Sequence, residues 1–155
     1  MTKIKTISDY KVGDSATIVK KVNKSDIERF AAMSGDTSAI HVDDKAAKIL
    51  GFKGKVAHGL LIGSWISALI GNDLPGDFSI MQNFKLDFRA PLVPPDTIEI
   101  SGRVQRISKG VGQLHIMIEV RSSDTNKILA TGEVRSIIPS NPLFYEHLSK
   151  TKETY

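Results

Sequence analysis

A large aliphatic residue stands at every second position from 114 to 120. Leu114, Ile116, Ile118 and Val120 share one parity, while His115, Met117 and Glu119 fill the other. That period of two predicts a strand with one buried and one solvated face. Phe84, Leu86 and Phe88 follow the same rule, as do Ile98 and Ile100, and residues 128–138 read as a last strand. Turn chemistry separates these runs at Pro94-Pro95-Asp96, Ser108-Lys109-Gly110 and Ser123-Asp124-Thr125-Asn126. Near the start, residues 14–22 (DSATIVKKV) are rich in β-branched side chains and predict a first strand.

Between the first strand and the others the period changes to that of a helix. Ser25 with Glu28 three positions later forms a capping-box pattern, which predicts a helix over 26–33. Ile27, Phe30 and Ala31 lie on one face of it, and Gly35 supplies its stop. A second short helix over 44–50 ends at Gly51. The run GLLIGSWISALIGN, within 58–72, is apolar almost all the way round, so as a helix it should be buried. Its glycines are tolerable where a sheet approaches the helix backbone closely, and Pro75-Gly76 then turns the chain. The pattern predicts an α+β protein in which an antiparallel sheet of about five strands curls around one long central helix.

A chain of 155 residues with 41% hydrophobic positions suits a single domain spanning 1–155. Its core should cover about 10–138, with a short tail over 139–155 on the surface or fraying. The absence of cysteine excludes a disulfide framework, a thiolate nucleophile and a thiolate metal site, and it fits a reducing compartment. The longest apolar stretch, residues 60–70, falls well short of the roughly 20 residues that cross a bilayer. The first residues contain no apolar segment of signal-peptide length, so the expected setting is soluble and cytoplasmic, with no membrane partner. The formal net charge is +4, but Lys and Arg occur as scattered pairs such as Lys20-Lys21. Runs of the kind that mark a nucleic-acid arm are missing, so nucleic acid is not an expected partner. A mildly basic surface still suits an anionic small molecule.

Candidate chemistry is confined to few residues. No phosphate-binding GxxxxGK[ST] loop, HExxH pair or GxSxG elbow occurs, and no metal site is expected. Of the four histidines, His147 lies in the tail and His115 points away from the apolar face of its strand; both read as structural or solvated. His41 follows Asp36 by five positions, just past a predicted helix end. A loop of that length lets a carboxylate and an imidazole converge on one water and move protons in both directions. The alternative is that Asp36 caps the next turn and His41 fills a gap. His58-Gly59 opens the apolar helix, where first-turn N–H groups lack intrahelical acceptors and the dipole is positive. An unshielded Gly59 N–H could polarise a carbonyl and stabilise an enolate-like oxygen. The alternative there is a plain helix start with a buried histidine.

Taken together, SGDTSAIHVD (34–43) and VAHGLLIGSWISALIG (56–71) resemble the MaoC-like, R-specific enoyl-CoA hydratases of the hotdog fold. The family signature reads approximately S/T-G-D-x-N-P-[LIV]-H, followed by an H-G-x-[LI] helix start. The resemblance extends over residues 10–138 and includes the LDFRAPLVPPDTI segment. It implies a catalytic dyad of Asp36 and His41, an oxyanion N–H from Gly59, and substrate contacts from Ser34, His58 and Ser67, with Ser67 lining an acyl pocket. The implied reaction is the reversible hydration of a trans-2-enoyl thioester to the (R)-3-hydroxyacyl thioester. Coenzyme A or an acyl carrier protein would carry the acyl group, and no further cofactor is implied. Ser38 and Ala39 replace the family's Asn and Pro, and losing Pro should leave the dyad loop somewhat looser. The unpaired edge of such a sheet implies a homodimer, as in hotdog proteins of the family. Two other functions are compatible with the fold. One is an acyl-CoA thioesterase, though thioesterases of this fold generally lack the Asp-x4-His with a following His-Gly. The other is a non-catalytic module that binds acyl thioesters.

Overall fold

Residues 5–140 are described by a computed structural model. The β-branched run after Gly13 forms strand β1 (Ser15–Val22). Helix α1 (Lys24–Ser34) follows at once, two residues earlier than the capping pattern suggested. Asn23 precedes it, and the Asp26 carboxylate accepts from the Asn23 N–H at 2.8 Å. Asn-x-x-Asp therefore opens the helix in place of Ser25 and Glu28, because Asn caps as well as Ser and a short carboxylate at the third position reaches back as Glu does. The helix ends as expected, with Gly35 left-handed at φ 76° and its N–H on the Ala31 carbonyl at 2.9 Å.

A single turn, α2 (Ala39–Val42), then occupies the stretch that the residue pattern had suggested as loop. Helix α3 (Asp44–Ile49) follows, its first turn capped by Asp43 through the Lys45 N–H at 2.7 Å. Irregular chain then leads to the long helix α4 (Gly59–Asn72). Four strands complete the fold: β2 (Ile80–Phe88), β3 (Asp96–Ser108), β4 (Gln113–Ser122) and β5 (Ile128–Ile137). They form one antiparallel sheet in the order β1-β3-β4-β5-β2.

The parity seen in the sequence sets the face that is buried. Ile98, Ile100 and Val104 of β3, Leu114 to Val120 in alternation on β4, and Ala130 and Val134 of β5 turn inward. Helix α4 meets them with Leu61, Ile62, Ile66, Leu69 and Ile70. Each such side chain, fully buried, stabilises the fold by about 1.5–3 kcal/mol. Because α4 touches both edge strands, β1 and β2, as well as the interior strand β3, the sheet must wrap around it. Gly102 on β3 makes that approach possible, since a Cβ there would sit 3.2 Å from Leu69 and 3.3 Å from Ile116.

The expectation of a helix buried on all sides is corrected in one respect. Leu60, Ser64, Ser67 and Gly71 form an exposed stripe along α4, and Leu60 is 68% exposed. Three of these four are small or polar, so the composition had favoured burial on the strength of the other faces alone. Edge strand β2 is mostly open, with Phe84 and Leu86 half-buried and Phe88 exposed. The expected tail beyond residue 140, His147 included, lies outside the described residues.

Candidate active site

The chain enters the site through the end of α1. The Ser34 hydroxyl donates to the Phe30 carbonyl at 2.7 Å and accepts from the Asp36 N–H at 3.2 Å. The Asp36 carboxylate in turn accepts from the Ser38 N–H at 3.1 Å through Oδ1, leaving Oδ2 open. This Asx turn sends the chain into α2, where the His41 N–H closes on the Ser38 carbonyl at 2.8 Å. Asp36 therefore makes the turn, as one of the two alternatives has it, and also presents a carboxylate oxygen outside that bond.

Backbone carbonyls orient both histidines. His41 Nδ1 lies 2.7 Å from the Val56 carbonyl, and His58 Nε2 lies 2.9 Å from the Asp36 carbonyl. A carbonyl only accepts, so the bonded nitrogen must carry the hydrogen and the other nitrogen of each neutral ring keeps its lone pair. His41 thus presents Nε2 as a proton acceptor. The two imidazoles stack at 3.8 Å with 26° between planes, and Phe30 leans on His58 at 5.0 Å. His58 is 2% exposed, and its Nδ1 has no hydrogen-bond partner among the described residues.

Asp36, His41 and His58 each bring one donor atom within 4.8 Å of the others. The same three atoms have the spacing and chemistry to hold a divalent cation. One residue beyond His58, Gly59 opens α4, and its N–H has no acceptor among the described residues. A cleft of about 380 Å³ borders it, lined among others by Val56, Ala57, Ile62, Phe88 and Leu92. A Cβ at position 59 would overlap the Phe88 ring, so glycine is what lets that ring lie against the helix start. The segment before α4 is fixed by Val56 N–H on the Ile40 carbonyl at 3.1 Å and Ala57 N–H on the Leu92 carbonyl at 2.8 Å.

The three residues expected at the substrate, Ser34, His58 and Ser67, have these surroundings in the structure. The Ser34 hydroxyl is engaged with backbone on both sides, so it supports the loop. His58 is buried, and its ring holds the Asp36 backbone and backs His41. Ser67 is exposed on α4 and does not line the cleft. Sequence reasoning had no access to the Val56 and Asp36 carbonyls, because any residue type offers one there. His115 stands on the outer face of β4, as its parity predicted. Partial burial and the guanidinium groups of Arg106 and Arg135 hold its imidazole below the usual range. Hydrogen bonds from the Lys55 N–H and the Lys24 side chain likewise hold the Asp44 carboxyl below its ordinary value.

Chemically, a carboxylate and an imidazole lone pair lie close together next to a helix N–H that has no acceptor among the described residues. That set can hold a water, move its proton and stabilise negative charge on an oxygen. Residues 7–127 match the sequence model described as "MaoC like domain". An (R)-specific enoyl-CoA hydratase of Rhodospirillum rubrum is 34% identical over 134 residues, covering 85% of this chain and 90% of that protein. Among solved structures, the (R)-hydratase from Aeromonas caviae involved in PHA biosynthesis superposes with a TM-score of 0.79 at 26% identity, covering 84% of this chain and 98% of its own. An unliganded R-hydratase from Pseudomonas aeruginosa gives 0.81 at 28% identity, covering 88% and 86%.

Proposed function

The chain belongs to the MaoC-like family and has the hotdog fold, and from that membership and the Asp36–His41 geometry we propose an (R)-specific hydratase. It interconverts trans-2-enoyl and (R)-3-hydroxyacyl thioesters by adding or removing water. The observation that carries this reading is the approach of Asp36, His41 and His58 donor atoms to within 4.8 Å beside the first N–H of α4.

In the hydration direction Asp36 and His41 share one water. Its oxygen forms the new bond to C3 of the enoyl group, and the proton it loses passes to the pair. The C2–C3 π electrons move toward the thioester carbonyl, whose oxygen accepts from the Gly59 N–H. The pair then returns the proton to C2, so water is added across the double bond with no net change at either side chain. Removal of water runs the same path backward. The chemistry calls for no resident cofactor or metal, because proton transfer and one polarised carbonyl suffice. The acyl group travels as a thioester of coenzyme A or of an acyl carrier protein, and the setting we propose is the cytoplasm.

We propose a homodimer paired along β2. That strand has one unpaired side, and Ile80, Met81 and Phe88 on it are 48%, 40% and 52% exposed. An open edge bearing large apolar groups favours pairing with a second copy.

The function is tested by following the loss of enoyl absorbance with crotonyl-CoA and assigning the configuration of the product. (R)-3-hydroxybutyryl-CoA is expected. Release of free thiol without hydration would instead mark a thioesterase, and tight binding with no spectral change would mark a binding module.

A further inference from the structure

The face of the sheet turned away from α4 carries a row of basic side chains on three neighbouring strands. Arg106 of β3 stands opposite His115 of β4, and His115 stands opposite Arg135 of β5. Leu114 and Ile116, on either side of His115, point the other way into the core, so the row lies on the outer face. Arg106 Nη2 lies 2.8 Å from Nε2 and 3.2 Å from Nδ1 of His115. A guanidinium only donates, so the imidazole accepts as a neutral ring and fixes the Arg106 head against it. Burial first, then the charges of Arg106 and Arg135, hold this imidazole below its usual range, while Glu133 acts the other way.

The row holds cations with no acid to balance them. Among the described residues, no carboxylate lies within ion-pair distance of Arg106 or Arg135. In the next row Arg103, Met117, Glu133 and Lys85 stand side by side. One acid there is set against two further cations, and Lys85 is itself 3.8 Å from Asp87. The unmet demand is sharpest at one atom. Arg135 Nε is buried and has no hydrogen-bond partner among the described residues. A buried charged donor without an acceptor is costly, and a guanidinium cannot escape by losing its proton. An acceptor that answers this row carries several oxygens and more than one negative charge, because two guanidinium forks flank the imidazole.

We propose that Arg106, His115 and Arg135 form a binding site for a phosphate group on the outer face of the sheet. The Arg135 Nε–H and the remaining N–H groups of Arg106 donate to its oxygens. A bound dianion favours the imidazolium form of His115, which then gives its own N–H to the phosphate. Phosphate binding and protonation of His115 therefore promote each other. The site shares no residue with the cleft at Gly59 and is independent of the hydratase reading.

The test follows the His115 ring protons by NMR, assigned with His115→Gln, as inorganic phosphate replaces sodium chloride at constant ionic strength. A saturable shift is expected, together with a rise in the pKa of His115. R106Q and R135Q should each weaken the apparent affinity at least about tenfold. R135K keeps the charge but loses the Nε–H, and should weaken binding as well. Glycerol 3-phosphate titrated beside inorganic phosphate separates two sources of the same group: tighter binding of the ester points to a phosphorylated metabolite, tighter binding of the free ion to phosphate itself. The absence of a saturable shift, or one undiminished in R106Q and R135Q, overturns the site. Sodium chloride alone moving His115 as far as phosphate does would reduce the effect to screening and overturn it too. Hydration of crotonyl-CoA by R106Q and R135Q should match the wild type, and a tenfold loss in both would assign the arginines to the thioester carrier instead. Arg106 is exposed and Arg135 half-buried on the outer face, so circular dichroism of the variants should match the wild type.

Discussion

Replacing His58 by Phe separates the two jobs of the buried ring. Phe keeps the flat surface that stacks on His41 at 3.8 Å and meets Phe30 at 5.0 Å. It removes the donor that holds the Asp36 carbonyl at 2.9 Å, a loss of about 1 kcal/mol for a hydrogen bond at a partly exposed acceptor. It also removes Nδ1, which is buried without a partner and costs the native fold about 1–3 kcal/mol by the same reasoning. The two changes oppose each other, so urea denaturation should place His58→Phe between the wild type and about 2 kcal/mol above it. Catalysis should not be spared. Asp36 sits in an exposed turn, and without its anchor a displacement near 1 Å is worth about a hundredfold in kcat. His58→Ala, which also opens a cavity under His41, should lose about 2–4 kcal/mol in addition. A His58→Phe protein that is as stable as the wild type and equally fast would refute the claim that His58 positions Asp36. One destabilised by about 1 kcal/mol or more would show that the unpartnered Nδ1 carries no such penalty.

Other substitutions test separate parts of the account. Ala39→Pro places proline at the first position of α2, after a residue at φ −54° and ψ 135° that tolerates a following proline, and should raise stability by about 0.5–1 kcal/mol in denaturant melts. Gly59→Ala keeps the backbone N–H but pushes a Cβ into the Phe88 ring at the cleft, and a resulting displacement of about 1 Å at the thioester should lower hydration about a hundredfold. For His115 the folded state favours the neutral ring, so folding releases protons and stability falls on acidification below the ordinary value of 6.5. His115→Gln should flatten that part of a plot of melting temperature against pH, and an unchanged slope would assign it to other groups.

Much of this was legible in the residues because burial follows periodicity. The inward parity of β4 and the stop at Gly35 depend on spacing and on the one residue type that takes a positive φ without strain. Asp36, His41 and Gly59 stood out as candidates for another reason: few residue types offer proton transfer or an open helix N–H, and they stand at separations that a turn can close. What escaped depends mostly on backbone acceptors, some near in sequence and some far. Ser34 was expected at the substrate, yet its hydroxyl is taken by the Phe30 carbonyl one turn away. The pairing of His41 with the Val56 carbonyl spans 15 positions, and backbone acceptors leave no trace in the pattern. Helix α2 was hidden because four residues are too few to establish a period. The row of Arg106, His115 and Arg135 is assembled across β3, β4 and β5, so each by itself looked like a solvated surface group.

The central claim is that Asp36 and His41 act on one water as a unit, and a double-mutant cycle measures it most directly. kcat/KM for hydration of a trans-2-enoyl thioester should be determined for Asp36→Asn, His41→Ala and the combined variant. Each single change is expected to lower it by about 10²–10⁴-fold, with the pair together losing little more than the worse single variant. Single variants near wild-type rate, or losses that multiply in the combined variant, would contradict the shared-water mechanism.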